Sequence, residues 1–282
     1  MHICKILLKT YTLLKLSNNE YFLRKILALE PRNILESGTT LPQIISGVCT
    51  TTGEKNEYVV KFIKAQRMSA ESSCRELLAA LIAKELDFNI PEPVIINITN
   101  EFVELMRGNE NFKVASNSLG YNFGNEYQVG YSAVGLTQTL DTNLTTKLVE
   151  LFALDMVIGN ADRRVEKPNF LSNGTDLLVF DHELAFGFAS DLFKNPTPWL
   201  IRDQDMTWIN QNFCFQKLKG HSYDFTNFIS KLNVLNEDFW HKFETIAPAE
   251  WLTEQWGIIK DYLKSLIEKS EIFEQELKRI LL

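Results

Sequence analysis

Three polar side chains in the segment Leu154–Phe186 could together bind a metal ion and accept a proton. The Asn173-Gly174 dipeptide between two apolar runs predicts a hairpin with a type I′ turn, which would bring Asn169 close to Asp181. An amide oxygen and a carboxylate suit Mg²⁺, which takes its other ligands from phosphate and water. Asp162 would lie on the loop before the hairpin, where its carboxylate could orient or deprotonate an attacking hydroxyl. The pattern therefore predicts phosphoryl transfer.

Each of these polar residues also has a purely structural interpretation. Asn160 could be only the neighbour of a helix-ending glycine, and Asp162 could form a local Asx turn. Asn169 follows a proline and could belong to an ordinary turn, Arg163 could be solvated, and Asp181 could cap a following helix. Their order around one hairpin favours the chemical interpretation, because all the structural explanations would have to hold together.

A lysine within an apolar strand provides a second, independent indication. Lys61 lies in the run YVVKF, where alternation leaves apolar side chains on both faces, so an inward, functional lysine is favoured. A buried lysine needs an anionic partner, and the helix that follows offers Glu71, Glu76 and Glu85. Glu76 falls on the alanine face of this helix and could approach the strand. Alternatively, Ser73 and Glu76 could form a capping box. The spacing leaves both interpretations open.

The stretch ESGTTLPQII precedes the lysine strand and is rich in small residues. Ser37, Gly38, Thr39 and Thr40 could wrap phosphate groups with their backbone N–H groups. A glycine between serine and threonine is also typical of a simple turn, so this indication is weak on its own.

The elements that must position these residues form an α+β pattern. Residue preferences predict a strand at 57–63, and apolar periodicity predicts a helix at 69–86. A strand pair is expected at 94–98 and 101–106, followed by a glycine-rich, loop-like connector between the lobes at 110–135. The clearest later helices are predicted at 141–158 and 258–280, and three tryptophans are expected to pack the C-terminal helices: Trp240, Trp251 and Trp256. Strands in the front half and helices in the back half would form a cleft, a usual place for a ligand.

Composition and charge exclude several classes of protein. The 282 residues are 45% hydrophobic, which is enough for the core of one large domain or of two lobes. The net charge of −7 argues against direct nucleic-acid binding, which needs a basic surface. Apolar stretches are interrupted before they reach about 18 residues, so neither a membrane span nor a signal peptide is expected. The four cysteines lack a metal-binding spacing, which predicts reduced thiols in a cytoplasmic protein.

The assembled motifs resemble those of the HipA-like kinases, bacterial toxin-type serine/threonine kinases. The segments that carry the resemblance are SGTT (37–40), YVVKF (58–62), CRELLAALIAKELDFNIPEP (74–93), IGNADRRVEKPNFL (158–171) and FDHELAF (180–186). The resemblance implies a two-lobed protein-kinase-like fold, with a strand-rich N-lobe that contains one helix at 1–115 and a mainly helical C-lobe at 116–282. It also implies transfer of the γ-phosphate of ATP to a hydroxyl, with Mg²⁺ as cofactor.

The resemblance also implies a role for each matching residue. Lys61 would hold the α- and β-phosphates of ATP, with Glu76 as its ion-pair partner, and residues 37–40 would form the phosphate loop. The residues implied for catalysis and metal binding are Asp162 as the base, Asn160 and Arg163 as support for its loop, and Asn169 and Asp181 as metal ligands.

The sequence departs from common protein kinases at the catalytic loop. Six residues separate Asp162 from Asn169, where the common loop has four, and Asp-His-Glu replaces Asp-Phe-Gly. The expected partners are ATP, a protein substrate and an antitoxin. Autophosphorylation of Ser37, Thr39 or Thr40 would repel ATP and displace the loop. The alternatives are a nucleotide-binding pseudokinase that serves as a regulatory module, and a small-molecule kinase.

Overall fold

A computed structural model describes residues 14–35, 40–192 and 195–282. The strands are β1 (Arg24–Ile34), β2 (Gln43–Cys49), β3 (Lys55–Lys61), β4 (Pro93–Ile98), β5 (Gly120–Glu126), β6 (Ser132–Ala133), β7 (Phe170–Ser172) and β8 (Leu177–Val179). The α-helices in the described ranges are α1 (Ala70–Glu85), α2 (Asn100–Leu105), α3 (Phe112–Ser116), α4 (Thr142–Ile158), α5 (Met206–Ile209), α6 (Phe213–Leu218), α7 (Thr226–Lys231), α8 (Glu237–Ile246), α9 (Glu254–Glu268) and α10 (Ser270–Leu281). Short 3-10 helices cover Gly187–Ser190, Asp203–Asp205, Leu232–Val234 and Ala249–Trp251. The fold is α+β, as predicted, with strands concentrated in the N-terminal region and helices in the C-terminal part.

The chain forms two compact units. The first contains the described residues up to Leu81, together with Pro91–Val129 and Lys242–Leu252, and the second contains Ile82–Ile90, Gly130–His241 and Thr253–Leu282. The division of the chain into lobes at 1–115 and 116–282 stays a prediction. We call the two units the barrel unit and the helical unit.

The barrel unit is built on five strands that close in the order β1-β2-β3-β5-β4. Neighbouring strands are antiparallel except β1 and β4, whose parallel pairing closes the barrel. One face of β3 contributes Tyr58 and Val60 to the core, as strand alternation requires. The opposite face of the same strand is therefore free to present Lys61 to another element.

Two parts of the barrel unit differ from the sequence-based expectation. Residues 101–106, expected as a strand, lie mostly in helix α2, because the Thr99 hydroxyl accepts a hydrogen bond from the Phe102 N–H (3.3 Å) and caps its N-terminus. The expected loop at 110–135 contains helix α3 and strand β5, which pairs with both β3 and β4. The expectation of one helix in this region was therefore also wrong.

Gly124 shows why the glycines of the supposed connector misled the prediction. It lies within β5, and a Cβ added there would stand 2.7 Å from the Val59 carbonyl oxygen and 2.2 Å from the Ile96 side chain. The glycine permits close strand packing rather than a loop.

The helical unit is organised around α4, which begins and ends as the sequence predicts. The Asp141 carboxylate accepts a hydrogen bond from the Leu144 N–H (2.8 Å), and Gly159 ends the helix in the left-handed conformation at φ 60°. Phe152 packs near Phe215 and Phe225, with ring centroids 6.2 and 6.4 Å apart. This buried helix is the rigid support for the loop that follows it.

The C-terminal region is helical, but its expected single helix at 258–280 is two helices. Helix α9 ends at Glu268 and α10 begins at Ser270, on either side of Lys269. The three tryptophans that were expected to pack the C-terminal helices are buried, Trp240 and Trp251 completely.

Two expectations about the chain as a whole concern cysteines and membranes. The described cysteines Cys49, Cys74 and Cys214 are buried free thiols, and burial raises the pKa of Cys74 to about 12. Within the described ranges, every helix is too short or too polar to cross a bilayer.

Candidate active site

A hairpin in the helical unit brings two of the predicted site residues together. Strands β7 and β8 pair antiparallel, with Asn169 directly before the first strand and Asp181 shortly after the second. The Phe180 N–H donates to the Asn169 carbonyl oxygen (3.1 Å), which extends the pairing to the site. On its other side, β8 is held by the Val179 N–H, which donates to the Asn89 carbonyl oxygen (2.9 Å). The predicted hairpin is confirmed.

The turn of this hairpin differs from the predicted two-residue type I′ turn. Residues 173–176 form the connection, and only Gly174 has a positive φ (91°), whereas a type I′ turn requires positive φ at both central residues. The Asn173 side chain instead accepts hydrogen bonds from the N–H groups of Thr175 (3.0 Å) and Asp176 (2.8 Å), an Asx turn.

The loop between α4 and the hairpin is anchored on a buried carboxylate, that of Asp155. Its oxygens accept hydrogen bonds from Arg163 Nε (2.8 and 2.9 Å), Asn160 Nδ2 (3.1 Å) and Asn212 Nδ2 (2.9 Å). Complete burial raises the pKa of Asp155 above its ordinary value, while Arg163 and the two amides lower it. All of these neighbours are donors, as an ionised carboxylate requires. The two predicted supporting residues, Asn160 and Arg163, therefore act through a residue that the sequence analysis did not select.

The same loop folds back so that Asp162 and Asn169 meet despite the longer spacing between them. Arg163 Nη1 donates to the carbonyl oxygens of Pro168 (3.0 Å) and Asn169 (2.8 Å) and draws the end of the loop inward. Asn169 Nδ2 in turn donates to both the carbonyl oxygen and Oδ2 of Asp162, each at 3.2 Å. The two extra residues therefore do not separate the Asp162 carboxylate from the Asn169 amide.

A lysine ammonium lies between the two predicted acidic residues. Lys167 Nζ is 2.8 Å from Asp181 Oδ2 and 3.4 Å from Asp162 Oδ2. Partial burial lowers the pKa of Lys167, but the carboxylates of Asp181 and Asp162 outweigh this effect and raise it above its ordinary value. Arg164 Nη2 adds a second cation 3.4 Å from Asp162 Oδ1. The carboxylates of Asp162 and Asp181 thus bring the cations of Lys167 and Arg164 close together.

Both predicted metal ligands adopt a left-handed backbone. Asn169 has φ 51° and Asp181 has φ 60°. Asn and Asp tolerate this region better than other residues that carry a side chain, because their short polar groups bond locally. Phe186 also has a left-handed φ of 57° shortly after Asp181, where its N–H donates to the Ile158 carbonyl oxygen (2.7 Å). Backbone conformations of this kind gather at functional sites.

In the barrel unit, Lys61 forms the predicted ion pair with Glu76. The Nζ–Oε1 distance is 2.6 Å, and the two side chains are only 6% and 1% exposed. The alternative role of Glu76 in a capping box is wrong. Helix α1 begins earlier, where the N–H groups of Ser69 and Ser72 donate to each other's hydroxyl oxygens at 2.7 and 3.2 Å. Glu76 is therefore inside the helix and available to the strand.

The predicted phosphate loop lies mostly outside the described residues. Ser37, Gly38 and Thr39 belong to that part, and Thr40 is a buried turn residue. The Leu35 N–H donates to the Pro42 carbonyl oxygen (2.8 Å), so these two residues, which follow β1 and precede β2, lie close together.

The residues around Lys167 fit Mg²⁺ by their chemistry. They offer the hard oxygen donors that this ion takes, and a cation already lies between the carboxylates. In the described ranges, no group of three or more His, Cys, Asp and Glu side chains is arranged to hold a metal.

Three residues of the site were missed by the sequence analysis. Asp155 carried a signal, because it is the one charged residue in the apolar stretch Leu151–Ile158. Lys167 carried no sequence signal that distinguishes it from a solvated surface lysine. Asn212 is distant in sequence. Its Oδ1 caps helix α6 by accepting a hydrogen bond from the Phe215 N–H (3.0 Å), and its Nδ2 donates to Asp155. One side chain therefore both caps the helix and binds the buried carboxylate.

Comparison with known proteins places the chain in a family. A search among curated proteins finds no match. A sequence model of a family described as HipA-like kinase matches residues 35–267, which covers most of the chain and includes both the lysine strand and the hairpin. The chain therefore belongs to the HipA-like kinase family.

Proposed function

We propose that this kinase-type phosphotransferase transfers the γ-phosphate of ATP to a hydroxyl group, most simply a serine or threonine of a protein, in a reaction that requires Mg²⁺. One observation carries the proposal. In the helical unit, the carboxylates of Asp162 and Asp181 both lie within salt-bridge distance of the Lys167 ammonium, and the Asn169 amide donates a hydrogen bond to Asp162. A protein needs these groups together for phosphoryl transfer, in which positioning and electrostatics do most of the catalysis.

Asp162 is the proposed catalytic residue. Its carboxylate would accept a hydrogen bond from the acceptor hydroxyl and take its proton as the oxygen attacks the γ-phosphorus. A new P–O bond forms, the bond between the γ-phosphorus and the bridging oxygen breaks, and ADP leaves. The hydrogen bond from Asn169 Nδ2 and the nearby Lys167 and Arg164 cations fix the carboxylate in one orientation.

Asn169 and Asp181 are the proposed metal ligands. When bound, Mg²⁺ would neutralise charge on the β- and γ-phosphate oxygens. The protein contributes the positions of these two ligands, because Arg163 donates a hydrogen bond to the Asn169 carbonyl oxygen and the hairpin places Asp181 beside it. Lys61 would bind the α- and β-phosphates, and Glu76 orients the lysine through their ion pair.

Two conservative substitutions separate metal binding from catalysis. We expect Asp181→Asn to abolish both the thermal stabilisation by Mg·ATP and the transfer of ³²P from ATP to a degenerate serine/threonine peptide pool. We expect Asp162→Asn to retain the thermal stabilisation and to lower transfer by about 100-fold or more, because only the base is lost.

Asp176→Asn is the matched control. Asp176 lies in the turn of the same hairpin and pairs with Lys147 on a partly exposed surface, so both readouts should stay at the wild-type level. Wild-type transfer by the Asp181→Asn protein would refute the assignment. Stabilisation by Mg·ATP without transfer in the wild-type protein would identify a nucleotide-binding pseudokinase instead.

A further inference from the structure

A cavity of about 370 Å³ lies beside the catalytic loop, within the helical unit. Gly159 and Ala161 of the loop form part of its wall, next in sequence to Asp162. The 3-10 helix after Asp181 contributes Gly187, and helices α5 and α9 contribute Trp208 and Tyr262. The volume is in the range of small-ligand pockets, about 300–1,000 Å³, and so is large enough for a bulky side chain.

The guanidinium group in the lining of this cavity is already engaged. Arg202 donates from Nε and Nη2 to the two carboxylate oxygens of Asp205, at 3.0 and 2.8 Å, so its guanidinium is committed. The remaining wall is mainly apolar and aromatic, with the rings of Phe188 and Tyr262 stacked at 3.9 Å between centroids. Two carboxylates, Asp191 and Asp205, face this single guanidinium across the lining. The lining therefore disfavours an anionic or sugar-like ligand and favours an apolar, uncharged or cationic one.

Two exposed leucines lie in the cavity lining or next in sequence to it. Leu200 lines it and is 38% exposed, and Leu192, which follows the lining residue Asp191, is 87% exposed. Exposed large apolar side chains next to an apolar cavity are typical of protein-binding sites. A small alcohol would gain little from such a rim, whereas a polypeptide would cover it.

We propose that this cavity binds a large apolar side chain of a protein acceptor, close in sequence to the serine or threonine that receives the phosphate. This inference rests on the proposed function and narrows its acceptor to a polypeptide. Ala161 both lines the cavity and adjoins Asp162, and an extended peptide advances about 3.3 Å per residue. The anchoring side chain therefore lies within about four residues of the acceptor hydroxyl, and its flanking residues are neutral or basic.

A positional peptide library tests the proposal. Each peptide carries one serine or threonine and a systematically varied residue at each flanking position, and ³²P incorporation from Mg·ATP is measured. At one position, Phe, Leu, Met or Trp should raise incorporation about tenfold or more over Ala, because burial of such a side chain changes an equilibrium by at least that factor. Asp at the same position should be rejected.

Gly187→Leu fills the cavity and is the decisive variant. A Cβ at Gly187 meets no heavy atom within 4 Å among the described residues, and its φ is outside the left-handed region, so the protein should fold. The variant should lose the apolar preference while its thermal shift with Mg·ATP stays unchanged. Gly135→Leu is the matched control, because Gly135 is equally unobstructed but does not line the cavity, and it should keep the preference.

Three results would overturn the inference: incorporation without an apolar preference, a preference that survives in Gly187→Leu, or no incorporation into any peptide. The thermal shift and the total incorporation together distinguish these from failure of the proposed function. If Mg·ATP stabilises the wild-type protein and peptides are phosphorylated, either of the first two results means that only the acceptor assignment is wrong. Stabilisation without phosphorylation of any peptide indicates a nucleotide-binding pseudokinase, so the proposed function fails as well. If Mg·ATP gives no stabilisation, the proposed function itself fails.

Discussion

Replacement of Asp155 by asparagine should be among the most damaging single substitutions in the helical unit. Asp155 is fully buried and neutralises Arg163, which is also fully buried. The Asp155→Asn side chain keeps the shape but loses the charge, and its NH₂ group would face donors from Arg163, Asn160 or Asn212. Removing one partner of a buried ion pair costs about 3–5 kcal/mol, because the remaining charge is left uncompensated.

The size of this loss is large compared with the stability of a typical domain, about 5–15 kcal/mol. Urea unfolding followed by far-UV circular dichroism measures it, and an unchanged m-value would show that the same transition is being compared. Lys147→Met is the matched control on the same helix. Lys147 pairs with Asp176 at 2.8 Å, but both side chains are about one-third exposed, so the loss should stay below about 1 kcal/mol.

The prediction has a clear failing result. If Asp155→Asn lowers the free energy of unfolding by no more than the Lys147→Met control, the buried pair does not hold the loop, and the account of how Asp162 and Asn169 are positioned is wrong. A folded Asp155→Asn protein should also bind Mg·ATP more weakly, because Arg163 would no longer be fixed against the Asn169 carbonyl.

Three further predictions follow from single contacts. Lys167→Met should lower the Mg²⁺ concentration for half-maximal thermal stabilisation by up to about fivefold, since a partly exposed competing cation is removed; an unchanged midpoint would contradict this. Lys61→Met should destabilise the protein by about 3–5 kcal/mol, and adding Glu76→Met should restore much of the loss, because two apolar side chains can replace a buried pair. Additive losses in thermal unfolding would disprove the coupling. Gly124→Ala should cost about 1–3 kcal/mol, because its Cβ would lie 2.7 Å from a strand carbonyl oxygen, whereas Gly257→Ala, at an exposed position of α9, should stabilise by about 0.5–1 kcal/mol. Equal midpoints for the two alanine variants would refute the steric argument.

The sequence predicted the elements whose signals are local. Helix α4 has an aspartate cap, a glycine stop and a continuous apolar interior, and its bounds were predicted to within a residue. Helix α2 was mistaken for a strand because EFVEL fits either period over so few residues, and the Thr99 cap decides the outcome. Strand β5 was hidden by its glycines. Gly124 is required there by close packing against β3 and β4, a long-range effect that no local window of sequence contains.

The candidate site shows the same division between local and long-range information. Asp162, Asn169 and Asp181 could be selected because they flank a recognisable hairpin. Glu76 could be placed only as one of two alternatives, and its contact with Lys61 decided between them. Asn212 could not be found, because its link to Asp155 joins residues that are 57 positions apart. The cavity beside Ala161 was equally beyond reach, since its walls come from five separate segments of the chain.

The barrel unit is assembled from three stretches of chain, and the last of them, Lys242–Leu252, is synthesised late in translation. Lys242 donates to the carbonyl oxygen of Ser17 and to Asn19 Oδ1, at 2.7 and 2.9 Å, and Trp251 is completely buried. A nascent polypeptide that has emerged only to residue 240 therefore lacks a part of the unit whose first strands were synthesised long before. We expect those early strands to remain incompletely folded during translation, so that chaperones or proteases can act on them.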